Sequence, residues 1–188
     1  MKVNEGAGRS AFVGLTVAAA VVLGLAAVVI PVMGGDGDER PTSHILRVTE
    51  VLRAACERHF ADTGTCALED SESSASSHHA LSQGQRTAGW KGPYISQPLT
   101  RQDNPFGGLV KVYSNLGSAF QGGFRLTGST VPSRGSGNFV RFTGIPSAVA
   151  RRVNDVLDGE VDGDWKTGGR VTYIGTCLYV FLLDTDQR

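Results

Sequence analysis

The residues Asp62-Thr63-Gly64-Thr65 spell the tetrapeptide found around the catalytic aspartates of aspartic proteases. That reaction needs two such carboxylates that share a proton, each at the end of an apolar strand. The chain contains one copy, and the preceding Glu57-Arg58-His59-Phe60 is polar and helical in character. We therefore predict that the tetrapeptide ends a helix. The alternative is a protease in which two chains each supply one aspartate.

The histidines are the next candidates for chemistry. His78 and His79 are adjacent and could ligate a metal ion, but they lie in the serine-rich stretch 69–88, where no third ligand has a fixed spacing. We predict that this stretch is a long surface loop and that both histidines are solvated. His44 and His59 lie on or beside a predicted amphipathic helix and are expected at the surface.

An acidic cluster follows the second predicted helix in a glycine-rich turn and consists of Asp158, Glu160, Asp162 and Asp164. Carboxylates that alternate along a loop are typical calcium ligands. The similarity to an EF-hand loop ends at Gly163, because Gly169 occupies the position of the bidentate glutamate. A structural calcium ion and a solvated turn both stay open, and no other cofactor is expected.

Three cysteines are too few for a disulfide scaffold, and no CxxC pair indicates zinc binding or thioredoxin-like redox chemistry. Cys56 and Cys66 lie on either side of a predicted chain reversal at Gly64, so a disulfide between them is favoured in an oxidising compartment. Cys177 on a terminal strand is a rival partner. The alternative is three buried thiols that act as small apolar side chains.

The remaining sequence gives no indication of an enzyme. It has no Ser/His/Asp order, phosphate-binding loop or closely paired carboxylates, and the serines of Gly128-Ser129-Thr130 and Arg134-Gly135-Ser136-Gly137 have no base nearby. Lysine plus arginine and aspartate plus glutamate both total 18, so the formal net charge is zero. Without a basic surplus to neutralise phosphates, nucleic acid is not expected as a partner.

Residues 11–33 form an apolar run of 23 residues without a charge. At about 1.5 Å per residue, a helix of this length crosses the roughly 30 Å hydrocarbon core of a bilayer. Lys2 and Arg9 precede the run and acidic residues follow it, which predicts a cytoplasmic N-terminus by the positive-inside rule. We therefore predict a cytoplasmic leader at 1–10, a transmembrane anchor at 11–33, a polar joint at 34–41 and an external domain at 42–188. A cleaved secretory signal is the alternative.

The external domain begins with a predicted amphipathic helix. Pro41-Thr42-Ser43 offers a hydroxyl that can cap free backbone N–H groups, and Asp62-Thr63-Gly64 ends the helix, with Gly64 suited to a left-handed conformation. The predicted apolar face consists of Ile45, Val48, Leu52, Ala55, Cys56 and Phe60. Charged residues fill the opposite face, namely Arg47, Glu50, Arg53, Glu57 and Arg58.

The second half of the chain alternates apolar and polar residues, as strands do. We predict strands at 109–114, 124–127, 139–143, 170–174 and 177–183. Gly175-Thr176 is a two-residue hairpin connection between the last two. One helix interrupts the strands: Pro146-Ser147 opens it, Gly159 closes it, and its predicted buried face is Val149, Val153, Val156 and Leu157. The predicted fold class is α+β with an antiparallel sheet.

Two aromatic segments precede the strands. Gly89-Trp90-Lys91-Gly92-Pro93-Tyr94-Ile95 and Asn104-Pro105-Phe106-Gly107-Gly108, followed by Tyr113, combine aromatic residues with Gly/Pro turns and are expected to be loops packed against the body. Together with the apolar run that ends in Pro31-Val32-Met33-Gly34 and the helix end at 52–64, they resemble the type IV pilin and pseudopilin family. The major pseudopilin of type II secretion is the most similar member, and the resemblance covers residues 11–114.

The resemblance implies a pilin-like structural subunit of a type II secretion or type IV pilus-like machine, which assembles through its N-terminal helix and is not an enzyme. It implies a single-pass protein of the cell inner membrane with its domain in the periplasm. The implied partners are membrane lipid, other pilin-like subunits and assembly platform proteins. Family members usually carry a glutamate early in the apolar run, and 11–33 contains none. This difference favours the alternative of a membrane-tethered periplasmic binding or sensory module that forms no filament.

Overall fold

The computed structural model describes residues 37–114, 137–159, 165–166 and 169–185. This part of the chain has the predicted α+β architecture, because two α-helices pack on one face of a five-stranded antiparallel sheet. The predicted leader at 1–10 and the predicted anchor at 11–33 lie outside the described residues. Among the helices of the described ranges, none combines the length and the apolar character needed to cross a membrane.

Helix α1, Glu39–Thr63, is the predicted amphipathic helix. Ile45 and Leu52 on its predicted apolar face are buried in the core. The helix ends where the sequence predicts, because Gly64 takes a left-handed conformation with a φ of 67° and its N–H donates to Phe60 O at 2.8 Å.

The predicted start of α1 is too late. The helix begins at Glu39, inside the stretch that was expected to be a joint, and Pro41 lies in its first turn, where a missing N–H breaks no helical hydrogen bond. The hydroxyl of Thr42 does not cap the helix. It donates to Asp38 O at 2.7 Å, so it satisfies a carbonyl of the preceding turn and no free backbone N–H.

The strands in the described residues are β1 Glu69–Asp70, β2 Val110–Ser114, β3 Gly137–Phe142, β4 Val171–Ile174 and β5 Cys177–Asp184, in the order β1-β2-β3-β5-β4. All neighbouring pairs are antiparallel. Strands β2 to β5 confirm four predicted strands, with ends shifted by a residue or two. The hairpin at Gly175-Thr176 joins β4 to β5 as predicted. The predicted strand at 124–127 lies outside the described residues.

Helix α2, Ser147–Asp158, is the second predicted helix and ends at Gly159 as expected. Val156, which was predicted on the buried face, is 62 % exposed. The helix packs against α1 and β4, and its buried residues are Val149, Ala150, Val153 and Asn154. This buried stripe is centred to one side of Val156, which explains why the helical spacing alone misplaced that residue.

The stretch 69–88 differs from the predicted exposed loop. Glu69 and Asp70 form β1, which pairs with β2, a short 3-10 turn spans Ser76–His78, and Leu81 is completely buried. The sequence gives little sign of this arrangement, because a two-residue strand is too short to show a period of two. A buried glutamate is also rare enough to argue against a strand that faces the core.

Candidate functional site

The end of α1 is held by the first aromatic segment. The carboxylate of Asp62 accepts a hydrogen bond from Lys91 Nζ at 2.9 Å and a second from the Tyr94 hydroxyl at 3.0 Å. Arg58 Nη2 donates to the backbone carbonyl of Tyr94 at 2.8 Å. The bond from Lys91 is the main reason why the pKa of Asp62 lies below its usual value. Asp62 therefore belongs to a helix terminus, as predicted, and its two oxygens hold the segment that packs there.

Aromatic rings complete this contact. Trp90 Nε1 donates to Ala80 O at 2.9 Å, and the rings of Trp90 and His59 meet the ring of Tyr94 edge-on at centroid distances of 5.8 and 5.4 Å. Gly89 has a φ of 83°, and a Cβ at this position would strike the carbonyl oxygen of Asp62. The segment thus fits the helix end through ring contacts and through one glycine that no other residue can replace without strain.

The prediction that His59 lies at the surface is wrong. Its side chain is 2 % exposed, because it continues the buried face of α1 one turn beyond Ala55 and Cys56. His59 Nδ1 donates to the carbonyl of Thr65 at 3.0 Å, which ties the helix to the chain after the reversal. Burial lowers the pKa of His59 and outweighs this bond, so the ring is held neutral.

The second aromatic segment is fastened to the sheet. Asn104 is buried, its Nδ2 donates to Thr143 O at 2.8 Å, and its Oδ1 accepts from the N–H of Phe106 at 2.9 Å. The N–H of Leu109 donates to the hydroxyl of Thr143 at 2.7 Å. A Cβ at Gly108 would strike the carbonyl oxygen of Thr143, the residue after β3. The two backbones therefore approach so closely here that only glycine fits. Both aromatic segments are loops packed against the body, as predicted.

A buried ion pair that was not predicted from the sequence joins Glu69 of β1 to His79 in the loop that follows β1. Glu69 is 0 % exposed, and its carboxylate accepts from His79 Nδ1 at 3.0 Å, from Ser82 Oγ at 2.7 Å and from Leu81 N–H at 3.0 Å. The other ring nitrogen of His79 faces the carbonyl oxygen of Ser73 at 2.7 Å. Both ring nitrogens therefore face oxygens that only accept, and the ring donates twice as an imidazolium.

The pKa of His79 reflects this environment. Desolvation by burial lowers the pKa, but the hydrogen bonds to Glu69 and to the Ser73 carbonyl outweigh it, so that the net pKa is raised. The prediction of a solvated His79 is wrong. His78 is half-buried, and its Nδ1 lies 2.7 Å from Ser73 Oγ. The two histidines thus contact different groups of the same loop.

Only one member of the predicted acidic cluster is described. Asp158 accepts from the N–H groups of Arg170 and Val171 at 2.9 and 3.1 Å, which fastens the end of α2 to the start of β4. Burial raises the pKa of Asp158 despite these bonds. Glu160, Asp162 and Asp164 lie outside the described residues. Within the described ranges, no group of three or more His, Cys, Asp or Glu side chains is placed to hold a metal ion.

The predicted disulfide between Cys56 and Cys66 is not formed. All three cysteines lie in the part of the chain that the structure describes, and all three are thiols there. Cys56 is completely buried on the core face of α1, where it packs as a small apolar side chain. This burial raises the pKa of the Cys56 thiol, and the nearby Cys66 raises it further. Cys177 is half-buried on β5.

A groove of about 210 Å³, which we call the α1 groove, runs between α1 and residues 95–103. Its apolar lining comes from Val48, Val51, Leu52, Ile95, Pro98 and Leu99. Val51 is 50 % exposed, so this lining faces solvent. His44 and Arg47 line the groove one turn nearer to the start of α1.

Arg47 and His44, which line one end of the α1 groove, are hydrogen-bonded to each other. Arg47 Nη2 donates to His44 Nδ1 at 3.3 Å, because a guanidinium has no acceptor. The other ring nitrogen of His44, Nε2, is buried. Among the described residues this buried nitrogen has no hydrogen-bond partner. The exposed guanidinium of Arg47 therefore supplies positive charge at this end of the groove, whereas His44 Nε2 is buried, and Asp103 adds a carboxylate to the groove lining.

A scan of protein-family models, a search of curated proteins and a search of solved structures each gave no match to this chain.

Proposed function

We propose that the chain is a membrane-anchored, non-enzymatic structural subunit of a type II secretion or type IV pilus-like machine. The apolar run 11–33 would hold the subunit in the inner membrane and contact the same run of neighbouring subunits. Its partners would be membrane lipid, other pilin-like subunits and the platform proteins that assemble them. The charge distribution around the run supports a periplasmic location for the domain.

The observation that carries the proposal is the attachment of the first aromatic segment to the end of α1. Lys91 and Tyr94 bond to Asp62, and Arg58 bonds back to Tyr94 O. These residues belong to two of the motifs that carry the resemblance to pilins, the helix end at 52–64 and the first aromatic segment. A subunit of an assembly needs a domain whose first helix is held firmly, and this network fixes the far end of α1 to the first aromatic segment.

The experiment begins with the mature N-terminus of the full-length chain, isolated from membranes. Mass spectrometry is expected to find a chain that starts near Arg9 and carries an N-methyl group, as prepilin processing would produce. Gly8→Lys should block this cleavage, whereas Gly6→Lys, placed two residues before it, should not. Deletion of the gene should abolish secretion or piliation. A monomeric membrane protein whose deletion leaves both processes intact would contradict the proposal.

A second function, a membrane-tethered periplasmic binding or sensory module, is favoured by one observation. The run 11–33 contains no glutamate, although family members usually have one there. A charged side chain in lipid is costly unless it is paired, so the absence of this glutamate does not hinder membrane insertion. It does remove a charged group that could position a neighbouring subunit. This function predicts an intact Met1 in the mature protein and no filament.

A further inference from the structure

The serine turn, which we define as residues 73–78, is attached to the domain through the ring of His79. His79 Nε2 lies 2.7 Å from the carbonyl oxygen of Ser73, and His79 Nδ1 lies 3.0 Å from Glu69 Oε1. Residues 74–77 are exposed, so packing contributes little to the position of the turn. In the described ranges, one other side chain bonds to the turn from outside, that of Gln85, whose Nε2 donates to Ser76 O at 2.8 Å in an exposed position. The position of the turn therefore depends on the hydrogens of one ring.

The loss of one proton from this ring affects its two bonds unequally. Both the carboxylate and the carbonyl only accept, whereas a neutral imidazole has a single N–H to donate. Glu69 is 0 % exposed and charged, so the loss of its donor would leave a buried ion without its partner. The Ser73 carbonyl lies at the base of an exposed turn and can accept from water when the turn moves. The remaining hydrogen is therefore expected on Nδ1, and Nε2 then directs a lone pair towards Ser73 O.

The charged groups around the ring support this behaviour. Burial alone would lower the pKa of His79, but the hydrogen bonds to Glu69 and to the Ser73 carbonyl outweigh it, and Asp70 of β1 adds to the rise. Asp70 itself pairs with Lys111 of β2 at 2.9 Å. On α1, burial raises the pKa of the Cys56 thiol near Glu69, so this thiol adds no charge at neutral pH. The other charged or titratable groups near the turn are His78, Glu72 and Arg101, of which the last two pair with each other.

We propose that the protonation of His79 controls the position of the serine turn. The turn is attached while the ring is an imidazolium and is released when the ring becomes neutral. Leu81 stays in place, because its N–H donates to Glu69 Oε2 at 3.0 Å and this carboxylate keeps its charge. Since the pKa of His79 is raised above 6.5 in the folded protein, release occurs on the alkaline side of that value. The inference goes beyond the proposed function and does not depend on it, because it concerns one loop of one chain.

The first test identifies the hydrogen that the ring keeps. It uses the full-length, isotope-labelled chain in detergent, and NMR of the two ring nitrogens of His79 from about pH 5 to about pH 9. We expect both nitrogens to carry a hydrogen at the acidic end and Nδ1 alone to carry one at the alkaline end. A hydrogen retained on Nε2 alone would overturn the proposal, and so would a ring whose protonation does not change over this range.

Amide exchange in the same samples tests whether the turn moves. The N–H of His78 donates to Ala75 O at 2.9 Å inside the turn, and a 3-10 turn this short does not persist by itself once it is released. Each exchange rate is compared with that of the unfolded chain at the same pH. As the ring becomes neutral, the protection of the His78 amide should fall by at least about fivefold, as for the loss of one hydrogen bond, and that of the Leu81 amide by less than about twofold. Equal losses at both amides would mean a general loosening and would overturn the proposal.

Two matched variants assign the effect to one histidine. The side chain in His79→Gln does not titrate, so the protection of the His78 amide should no longer depend on pH. In His78→Gln the transition should persist, and it is measured at the amide of His79, which donates to Ser76 O at 3.0 Å. A transition that survives in the first variant or disappears in the second would overturn the proposal. If His79→Gln does not fold, the ring measurement on the wild-type chain still decides between the two outcomes.

Discussion

Glu69 and His79 form a hydrogen-bonded ion pair at 3.0 Å inside the protein, where Glu69 is completely buried. The pair closes the segment between β1 and the first aromatic segment, since His79 also bonds to Ser73 and Glu69 also bonds to Ser82 and Leu81. Buried ions are costly unless each has partners, and here both ring nitrogens of His79 and both carboxylate oxygens of Glu69 are hydrogen-bonded. The loop is therefore held by a network whose members depend on one another.

Removal of the imidazole should destabilise the protein strongly. His79→Ala leaves the Glu69 carboxylate buried without its cation, and we expect a loss of about 3 kcal/mol in the free energy of unfolding. Denaturant unfolding of the full chain in detergent measures this loss. His78→Ala is the matched control, because His78 is half-buried and its Nδ1 is hydrogen-bonded to Ser73 Oγ rather than to a buried carboxylate; its cost should stay below about 1 kcal/mol. Equal costs for both variants would contradict the assignment.

The same pair predicts how stability depends on pH. The folded-state pKa of His79 is raised above the ordinary value of 6.5, so the folded protein binds this proton more tightly than the unfolded chain does. The resulting stabilisation is fully present below about pH 6.5 and is lost as the pH rises through the raised pKa. The stability difference between wild type and His79→Ala should therefore shrink above that pKa. A difference that stays constant from pH 5 to about pH 9 would show that the ring is neutral throughout.

The contact at the end of α1 should behave as a coupled unit. Tyr94→Phe removes the hydroxyl that donates to Asp62 and accepts from the Lys91 N–H, and we expect a loss of about 1 kcal/mol. In a chain that already carries Asp62→Asn, the same change should cost less, because one of its partners is weakened. A double-mutant cycle measures the coupling. Glu57→Gln, an exposed substitution on α1, should show no coupling to Tyr94→Phe.

Gly108 and Gly84 offer a paired test of the second aromatic segment. A Cβ at Gly108 would strike Thr143 O and crowd Asn104 Nδ2, whereas a Cβ at Gly84 would meet nothing within 4 Å. Gly108→Ala should destabilise the protein by about 2 kcal/mol, the usual cost of forcing atoms into a packed site. Gly84→Ala should change stability by less than about 0.5 kcal/mol. Thermal unfolding measures both, and a tolerated Gly108→Ala would show that the segment can move away from Thr143.

Features set by local rules could be predicted from the sequence. The apolar spacing of α1 located Ile45, Leu52, Ala55 and Cys56 on its buried face, although Val48 and Phe60, which were also predicted there, are only partly buried. The glycine at position 64 located the end of the helix, and Gly175-Thr176 located the hairpin. These signals are strong because each follows from helical period, left-handed φ or turn chemistry, which act over a few residues. The alternation of apolar residues likewise located β2, β3, β4 and β5.

Features set by distant contacts could not be predicted. Glu69 is buried because His79, Ser82 and Leu81 converge on it from ten or more positions further along the chain. His59 lies on the buried face of α1 and contacts the ring of Tyr94, 35 positions further along the chain, and Val156 is exposed because nothing that the structure describes packs on its side of α2. Composition and period report what a segment could bury, whereas the partner that covers it is fixed only by the tertiary fold.

The long connection between β1 and β2 is secured at two places, and its two halves are also hydrogen-bonded to each other, because Trp90 Nε1 donates to Ala80 O and Tyr94 N–H donates to Leu81 O. Residues up to Ser82 are held by the Glu69 carboxylate, and residues from Lys91 onward are held by Asp62 at the end of α1. Between them lie Gly84 and Thr87, which are exposed. A protease that cleaved one peptide bond in this interval would leave both new chain ends tethered. The two fragments should therefore stay associated when the nicked protein is purified under native conditions, and they should separate only when the protein is unfolded.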